Sequence, residues 1–399
     1  MLILYNLAQR PEAMDLKIFF SPIDEEVYEG IEDPTSFLKS ISIFAEKQPD
    51  YKGANIAIIG LLEDGGSEAN QGASEAADEI RKKLYRLKKG FGQYKIVDLG
   101  NLCKGVDVAE SQLRLKEVCA VLIDNEVLPV IIGGTHDHTY GQYLAYENMN
   151  KLVSLLNVDA FLDIEDDGNP VNSKNHLHKI LLHEPNYLFS LNQLAYQSYL
   201  IDNDTLAVLE KLHFDAYRLG HLRQYLPDME PIIRDADLMS FDITAIKSSD
   251  APGNGNAQPF GLTGEEACQI CWYAGLNEKM SSVGFYEYNP DVDDAHKKTA
   301  SVTATMIWYF IEGFYHRKDE HNFRGNDYLK FVVSMPTDPE NLVFYKSKLS
   351  EKWWMEVPYP HSNFLYERNL IIPCSYSDYQ LAASGEVPER WITAQAKMI

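Results

Sequence analysis

The chemistry available to this chain is concentrated where apolar runs stop. The run ending near residue 132 leads into Gly133-Gly134-Thr135-His136-Asp137, and the one ending near 158 into Asp159-Ala160-Phe161-Leu162-Asp163. A third ends at Asp242-Ile243-Thr244, and a fourth at Glu287-Tyr288-Asn289-Pro290. Taken alone, each group is an ordinary loop or cap residue, since Asp and His are common there. Taken together, His136, Asp159, Asp163 and Asp242 offer one nitrogen and three carboxylates. That mixture suits a borderline-hard divalent cation such as Mn²⁺, with zinc or iron less favoured by the excess of carboxylate. The expectation is that these four residues bind one metal ion.

Such residues converge only if the apolar runs lie side by side. NIAIIGLL (55–62), YKIVDLGNL (94–102), LPVIIGG (128–134) and LVSLLNVDAF (152–161) read as strands covered on both faces. Helical segments separate them at 73–87, 108–127 and 138–151. This alternation predicts βαβ units and a parallel sheet, with ligands beyond the carboxyl ends of its strands. Further strands are expected at 236–243, 280–288 and 328–335, and helices near 203–213, 264–274 and 293–314. The predicted organisation is an N-terminal arm (1–50), an α/β domain (51–335) and a C-terminal extension (336–399). That extension reads as an aromatic hairpin followed by two short helices packed on the domain.

Composition bounds the function. The chain has 399 residues, 45% of them hydrophobic, which supports a sizeable core. Its 59 acidic and 36 basic residues leave a formal charge of −23, a field that repels nucleic acid and anionic membranes. No run reaches the ~18 apolar residues of a membrane span, and the first residues lack a secretory signal pattern. Five cysteines suggest reduced thiols and a cytoplasmic location. Cys268 and Cys271 form a C-x-x-C inside a predicted helix, with no second pair to complete a zinc site.

The strand-end segments also resemble a known family. GGTHD is similar to the GG-x-H-D motif of the ureohydrolases (arginases, agmatinases and formimidoylglutamases), and VDAFLD to their D-A-H-x-D motif. SFDIT with SSDAPGNGNAQPFGLTGEE resembles their S-x-D-x-D segment and its continuation, and VGFYEYNPDVDD their V-E-x-N-P-x-x-D segment. The similarity runs in order from about 55 to 315. It implies an arginase-like, three-layer α/β/α fold with a mostly parallel sheet of about eight strands. It also implies two Mn²⁺ ions that activate water against an amidine or guanidine carbon. By that resemblance His136, Asp159, Asp163 and Asp242 hold the first ion. The remaining second-ion positions are Phe161 and Thr244, where the family has His and Asp, so the second ion should be weak or absent. Glu287 matches the acid that holds the cationic amidine, and either His176 or His178 matches the proton-transferring histidine.

The functional expectation is a metal-dependent hydrolase of linear amidine or guanidine C–N bonds, formimidoylglutamase- or agmatinase-like, using one Mn²⁺. The alternative is an inactive relative that serves as a scaffold or interaction module. The expected ligands are a small cationic amidine or guanidine, with neither nucleic acid nor membrane involved. The resemblance further implies a homo-oligomer, and residues 336–399 are a candidate protein-binding surface.

Overall fold

Buried side chains alternate along Ile56–Leu61 and set the layering. Ile56 and Ile58 enter one core, whereas Ala57, Ile59 and Leu61 enter another. A strand buried on both faces needs helices above and below, which gives three layers. The computed structural model describes residues 16–397, apart from 150, 166, 167, 321, 322, 324, 337 and 359–369. The first fifteen residues of the expected N-terminal arm, and the last part of the expected aromatic hairpin, therefore lie outside the described residues.

The first strands are β1 (Phe20–Ser21), β2 (Ser42–Ile43), β3 (Ile56–Leu61), β4 (Ile96–Leu102) and β5 (Leu128–Ile132). The next five are β6 (Val153–Val158), β7 (Leu188–Tyr196), β8 (Asp215–Arg218), β9 (Leu238–Asp242) and β10 (Ser282–Tyr286). These ten form one sheet in the order β1-β4-β3-β5-β10-β9-β6-β7-β8, with β2 also on β4. Strands β3 to β10 give a parallel sheet of the expected size, about eight strands, and the additions are the two-residue pieces β1 and β2. The arginase-like α/β architecture with a mostly parallel central sheet is thus present. Strands β5 and β6 follow each other in sequence but are separated in space by β10 and β9. The chain reverses its order there, which is where open α/β sheets place their ligands.

Helix ends follow local chemistry. Asp107 Oδ1 accepts from Glu110 N at 2.8 Å to start Val108–Asp124. Thr263 and Glu266 form a reciprocal capping box on Gly264–Gly275, the helix that carries Cys268 and Cys271. The helix expected from 293 begins only at Lys298, because Asp293 and Asp294 turn back to accept the N–H groups of Thr299 and Lys298.

Two strands, β7 and β8, were not anticipated. Strand β7 carries Ser190, Asn192 and Gln193, all buried, which interrupt the apolar run that marks its neighbours. The strand expected at 328–335 exists as β11 (Tyr328–Ser334), but it does not join the parallel sheet. It pairs antiparallel with β12 (Asn341–Ser347), followed by β13 (Trp353–Val357) and β14 (Leu370–Cys374), to make a second sheet. Leu342, Phe344, Met355 and Val357 bury between this sheet and the helices Tyr376–Ala383 and Glu389–Ala396.

One fully buried ion pair locks the helix Ala76–Leu84 to the sheet. Arg81 donates to both Asp98 oxygens (2.9 and 2.8 Å) and to Gly100 O, while Tyr85 OH donates to the same Asp98 carboxylate. Neither Arg81 nor Asp98 touches solvent. Arg81→Met would strand Asp98 as an uncompensated buried charge, so a loss of about 3–5 kcal/mol is expected in denaturant unfolding. A loss under about 1 kcal/mol would show that Asp98 is discharged or hydrated without its partner.

Candidate metal centre

The four central strands β5, β10, β9 and β6 are consecutive neighbours, so their carboxyl ends open on one spot. After β5 the chain turns through Gly133 (φ +82°) and Gly134 (φ +72°), a left-handed pair that L side chains rarely adopt. A Cβ on Gly134 would also stand 2.9 Å from that of Leu61. This turn aims the His136 ring across the ends of the neighbouring strands. Its Nδ1 lies 3.4 Å from Asp159 Oδ2, 3.2 Å from Asp163 Oδ2 and 3.2 Å from Asp242 Oδ2. The ligand atoms of these four residues all fall within 4.8 Å of one another.

The other ring nitrogen, Nε2, sits 2.8 Å from Ser240 Oγ, which in turn pairs with Thr139 Oγ1. With Nε2–H donating to that hydroxyl, Nδ1 is the nitrogen that faces the carboxylates, and it would give its lone pair to a metal ion once its proton is displaced. Gln193, fully buried in β7, donates to Asp159 O and Phe161 O and so fixes the loop that carries both aspartates. Ser240, Thr139 and Gln193 support the site yet escaped the sequence reading. Ser240 lies within the S-x-D segment that could have flagged it, whereas Gln193 has no such signal.

The electrostatics are those of a site arranged for a cation. Burial opposes charge on His136, but the three facing carboxylates outweigh it and hold the ring well above the ordinary imidazole value. Asp163 is pushed well above the carboxylate range, first by burial and then by the charge of Asp159, and Asp242 is raised for the same two reasons. Burial also works against Asp159, yet His136 keeps that carboxyl below the usual value. Asp159 Oδ2 is buried without a hydrogen-bond partner among the described residues. Buried polar atoms are rarely left so, and an orphaned carboxylate oxygen facing an imidazole and two more carboxylates fits a divalent cation.

The remaining predicted residues are placed unequally. Glu287 is buried at φ +66°, with Oε1 accepting from His136 N at 2.8 Å and Oε2 from Asn70 Nδ2. Burial and the nearby Asp242 charge raise its carboxyl to about 8. His176 is buried with its ring 4.3 Å from that of His136, and its Nδ1 lies 3.8 Å from Asp163 Oδ2. His178 is half-buried two residues on, about 200° around the same short helix. Thr244 Oγ1 donates to Asp159 Oδ1 at 2.8 Å, and Phe161 N donates to the same oxygen at 3.0 Å. A cleft of about 320 Å³ opens over the cluster, lined by Phe161, Asp163, Lys174, Asp242, Thr244 and Glu287 among others.

A three-layer fold whose central parallel strands end in a buried His/Asp cluster defines a class of α/β proteins with a candidate metal site. Residues 54–312 match the model of the Arginase family, and the chain belongs to that family. It is 25% identical over 285 residues to a formimidoylglutamase of Lysinibacillus sphaericus, covering 68% of this chain and 88% of that protein. A formimidoylglutamase of Geobacillus thermodenitrificans is 27% identical over 261 residues, covering 62% of this chain and 81% of its own length. Among solved structures, the Trypanosoma cruzi formiminoglutamase with a pair of Mn²⁺ ions superposes with a TM-score of 0.62 at 22% identity, covering 69% of this chain and 97% of the other. The Bacillus subtilis formimidoylglutamase superposes with a TM-score of 0.64 at 20% identity, covering 73% and 95%.

Proposed function

We propose that this chain hydrolyses the C–N bond of a linear amidine, formiminoglutamate in the first instance, with one divalent ion held by His136, Asp159, Asp163 and Asp242. The observation that carries the reading is Asp159 Oδ2, buried in the cluster 3.4 Å from His136 Nδ1 and without a hydrogen-bond partner among the described residues. Bound there, Mn²⁺ would supply the Lewis acidity that activates water towards an amidine carbon. The names of the formimidoylglutamase relatives, and the Mn²⁺ of the Trypanosoma cruzi structure, support both the substrate and the ion.

The protein's own groups divide the remaining work. Glu287 offers a carboxyl at the cleft wall, pre-oriented by Asn70 and the His136 peptide; raised to about 8 in the metal-free fold, it would ionise when cations bind beside it and then receive the N–H groups of a cationic amidine. His176 suits proton transfer better than His178. In the metal-free fold burial first, and the positive charge of His136 second, keep its pKa well below the ordinary value; a metal bound to His136 would remove that second cause, and the Nε2 of His176 has no hydrogen-bond partner among the described residues. A second ion has little to bind. The Asp159 oxygen that would face it already accepts from the Thr244 hydroxyl and the Phe161 peptide, and a phenyl ring stands at the imidazole position.

Formamide release from formiminoglutamate by the Mn²⁺-loaded protein, measured beside agmatine, arginine and guanidinobutyrate, is the direct test. Formamide is expected from the first. No product from any of the four, with metal bound, would favour a scaffold that has kept the fold without the reaction. Glu287→Gln keeps the shape and removes the charge. It is expected to lower kcat/KM by about ten- to a hundred-fold, the worth of a charged hydrogen bond of roughly 1.5–3 kcal/mol, with metal content unchanged. An equal loss of metal would instead make Glu287 a support of the metal cluster.

A further inference from the structure

Strand β11 is an outer strand of the second sheet, and among the described residues only β12 pairs with it. The hydrogen bonds at its two ends fix which backbone groups point outward. Met335 N donates to Glu340 O and Lys348 N donates to Asp327 O, so the odd-numbered residues from 327 to 335 face β12. Tyr328, Lys330, Val332 and Ser334 therefore turn their N–H and C=O groups away from the sheet. None of these groups has a hydrogen-bond partner among the described residues. Native sheets guard such an edge with proline, a bulge or charged side chains. Strand β11 has no proline, pairs with β12 without a break in register, and carries a single charge. That charge is turned inward, with Lys330 Nζ 5.6 Å over the Tyr345 ring of β12. Leu329 and Val332 are 45% and 60% exposed on the same strand.

The open row is bounded, and its bounds are symmetric. Towards the amino end the next outward position is Asn326, whose carbonyl already accepts from Lys348 Nζ. Towards the carboxyl end it is Pro336, which has no N–H. Phe331 lies midway between them. An identical strand laid antiparallel about Phe331 sets Tyr328 opposite Ser334 and Lys330 opposite Val332. The two positions unable to pair then fall opposite each other. Every outward residue of both copies is used, exchanging about eight N–H···O=C bonds. Sliding the pair one way puts Lys330 opposite its own copy, and the other way puts Tyr328 opposite Pro336, so one register is favoured. The side chains agree with it. On one face Leu329 meets Val333 and Phe331 meets its counterpart, extending the apolar cluster in which Phe331 packs on Trp353 and Tyr379. On the other face the Lys330 stem covers Val332.

We propose that β11 joins two copies of this chain about a two-fold axis through Phe331, making one continuous sheet from two. Sedimentation of the full chain from about 1 to 100 µM tests this, in about 150 mM salt so that the charge of −23 on each copy is screened beyond ~8 Å. Association in pairs is expected. Val332→Pro removes one outward N–H per copy and leaves the ladder to β12 intact, because an edge strand tolerates proline on its open side. It should weaken association about tenfold or more, with metal content unchanged. Val332→Glu faces Lys330 of the other copy with an opposite charge and Val332→Lys with a like one, so the first should associate severalfold more tightly than the second. Amide exchange at Lys330 and Val332 should slow as the protein pairs. Three results would overturn the proposal. One is a monomer throughout the concentration range. Another is an assembly whose mass and affinity Val332→Pro leaves unchanged. The third is slow exchange at Lys330 and Val332 in a monomer, which would put another segment of the same chain on the edge. The first and third are read on the unaltered protein and do not depend on the variants folding.

Discussion

Asp159→Asn is expected to abolish Mn²⁺ binding and with it the Mn²⁺-induced gain in stability. The carbonyl of an asparagine can keep the two bonds that Oδ1 now accepts, from the Phe161 peptide and the Thr244 hydroxyl. What changes is Oδ2, the oxygen 3.4 Å from His136 Nδ1. Without metal, Asp159 is the carboxylate that the facing His136 imidazolium keeps ionised, so the substitution also removes the charge that balances that ring, and a modest loss of stability in the metal-free protein is expected. With metal, the same substitution removes a charged ligand, which a neutral amide does not replace. At a hundredfold excess over Kd, bound Mn²⁺ should stabilise the unaltered protein by about 2.7 kcal/mol and the variant not at all. Metal analysis together with melting curves reads both arms. A variant that retained stoichiometric Mn²⁺, or showed the same shift in Tm, would remove Asp159 from the site.

The pH dependence of that shift follows from the same groups. In the metal-free fold His136, Asp163 and Asp242 hold their protons more tightly than in the unfolded chain. Their contribution to stability is therefore full below their unfolded pKa values and is lost as pH rises through the raised ones. Asp159, held low, contributes in the opposite sense, above its unfolded value, and loses that contribution as pH falls. Metal must displace the tightly held protons, so the Mn²⁺-induced rise in Tm should be larger near about pH 8 than near pH 6. A rise that did not vary with pH would mean the ion binds elsewhere.

The parts of this architecture legible in the sequence are those where one physical cause dominates. Ile56–Leu61 and Leu128–Ile132 are apolar throughout because helices cover both faces, and such runs announce themselves. Strand β7 stayed hidden because Gln193 and Asn192 are polar and buried, and Gln193 is polar for a reason: it holds the Asp159–Phe161 backbone. The set of strand-end residues was also legible, but not their adjacency. That depends on β10 and β9 inserting between β5 and β6, a long-range choice that no local pattern encodes. Nor does composition disclose that Asp163 (φ +45°) and Glu287 (φ +66°) sit in the left-handed region. Strained backbone of this kind is characteristic of functional sites. In β11 the pattern misled because Leu329 and Val332 suggest a buried strand, whereas both are exposed on an edge.

Phe161→His combined with Thr244→Asp is expected to raise bound Mn²⁺ from about one to about two ions per chain and to speed turnover by an order of magnitude or more. The two positions act through a single atom. Thr244 Oγ1 stands 2.8 Å from Asp159 Oδ1, so an aspartate there brings a carboxylate against that oxygen, and without a second cation the pair repels. Thr244→Asp alone should therefore lower Tm and bind little extra metal. Phe161→His alone supplies an imidazole, but leaves the Thr244 hydroxyl donating to the oxygen that a second ion must share. Only the double variant gives a new ion both a nitrogen and a fresh carboxylate, so the two changes should be strongly non-additive. The measurement is metal stoichiometry and formamide production across the four combinations. If the single substitutions each gained half of the effect, Asp159 Oδ1 would not be the shared atom, and the one-ion reading would lose its structural basis.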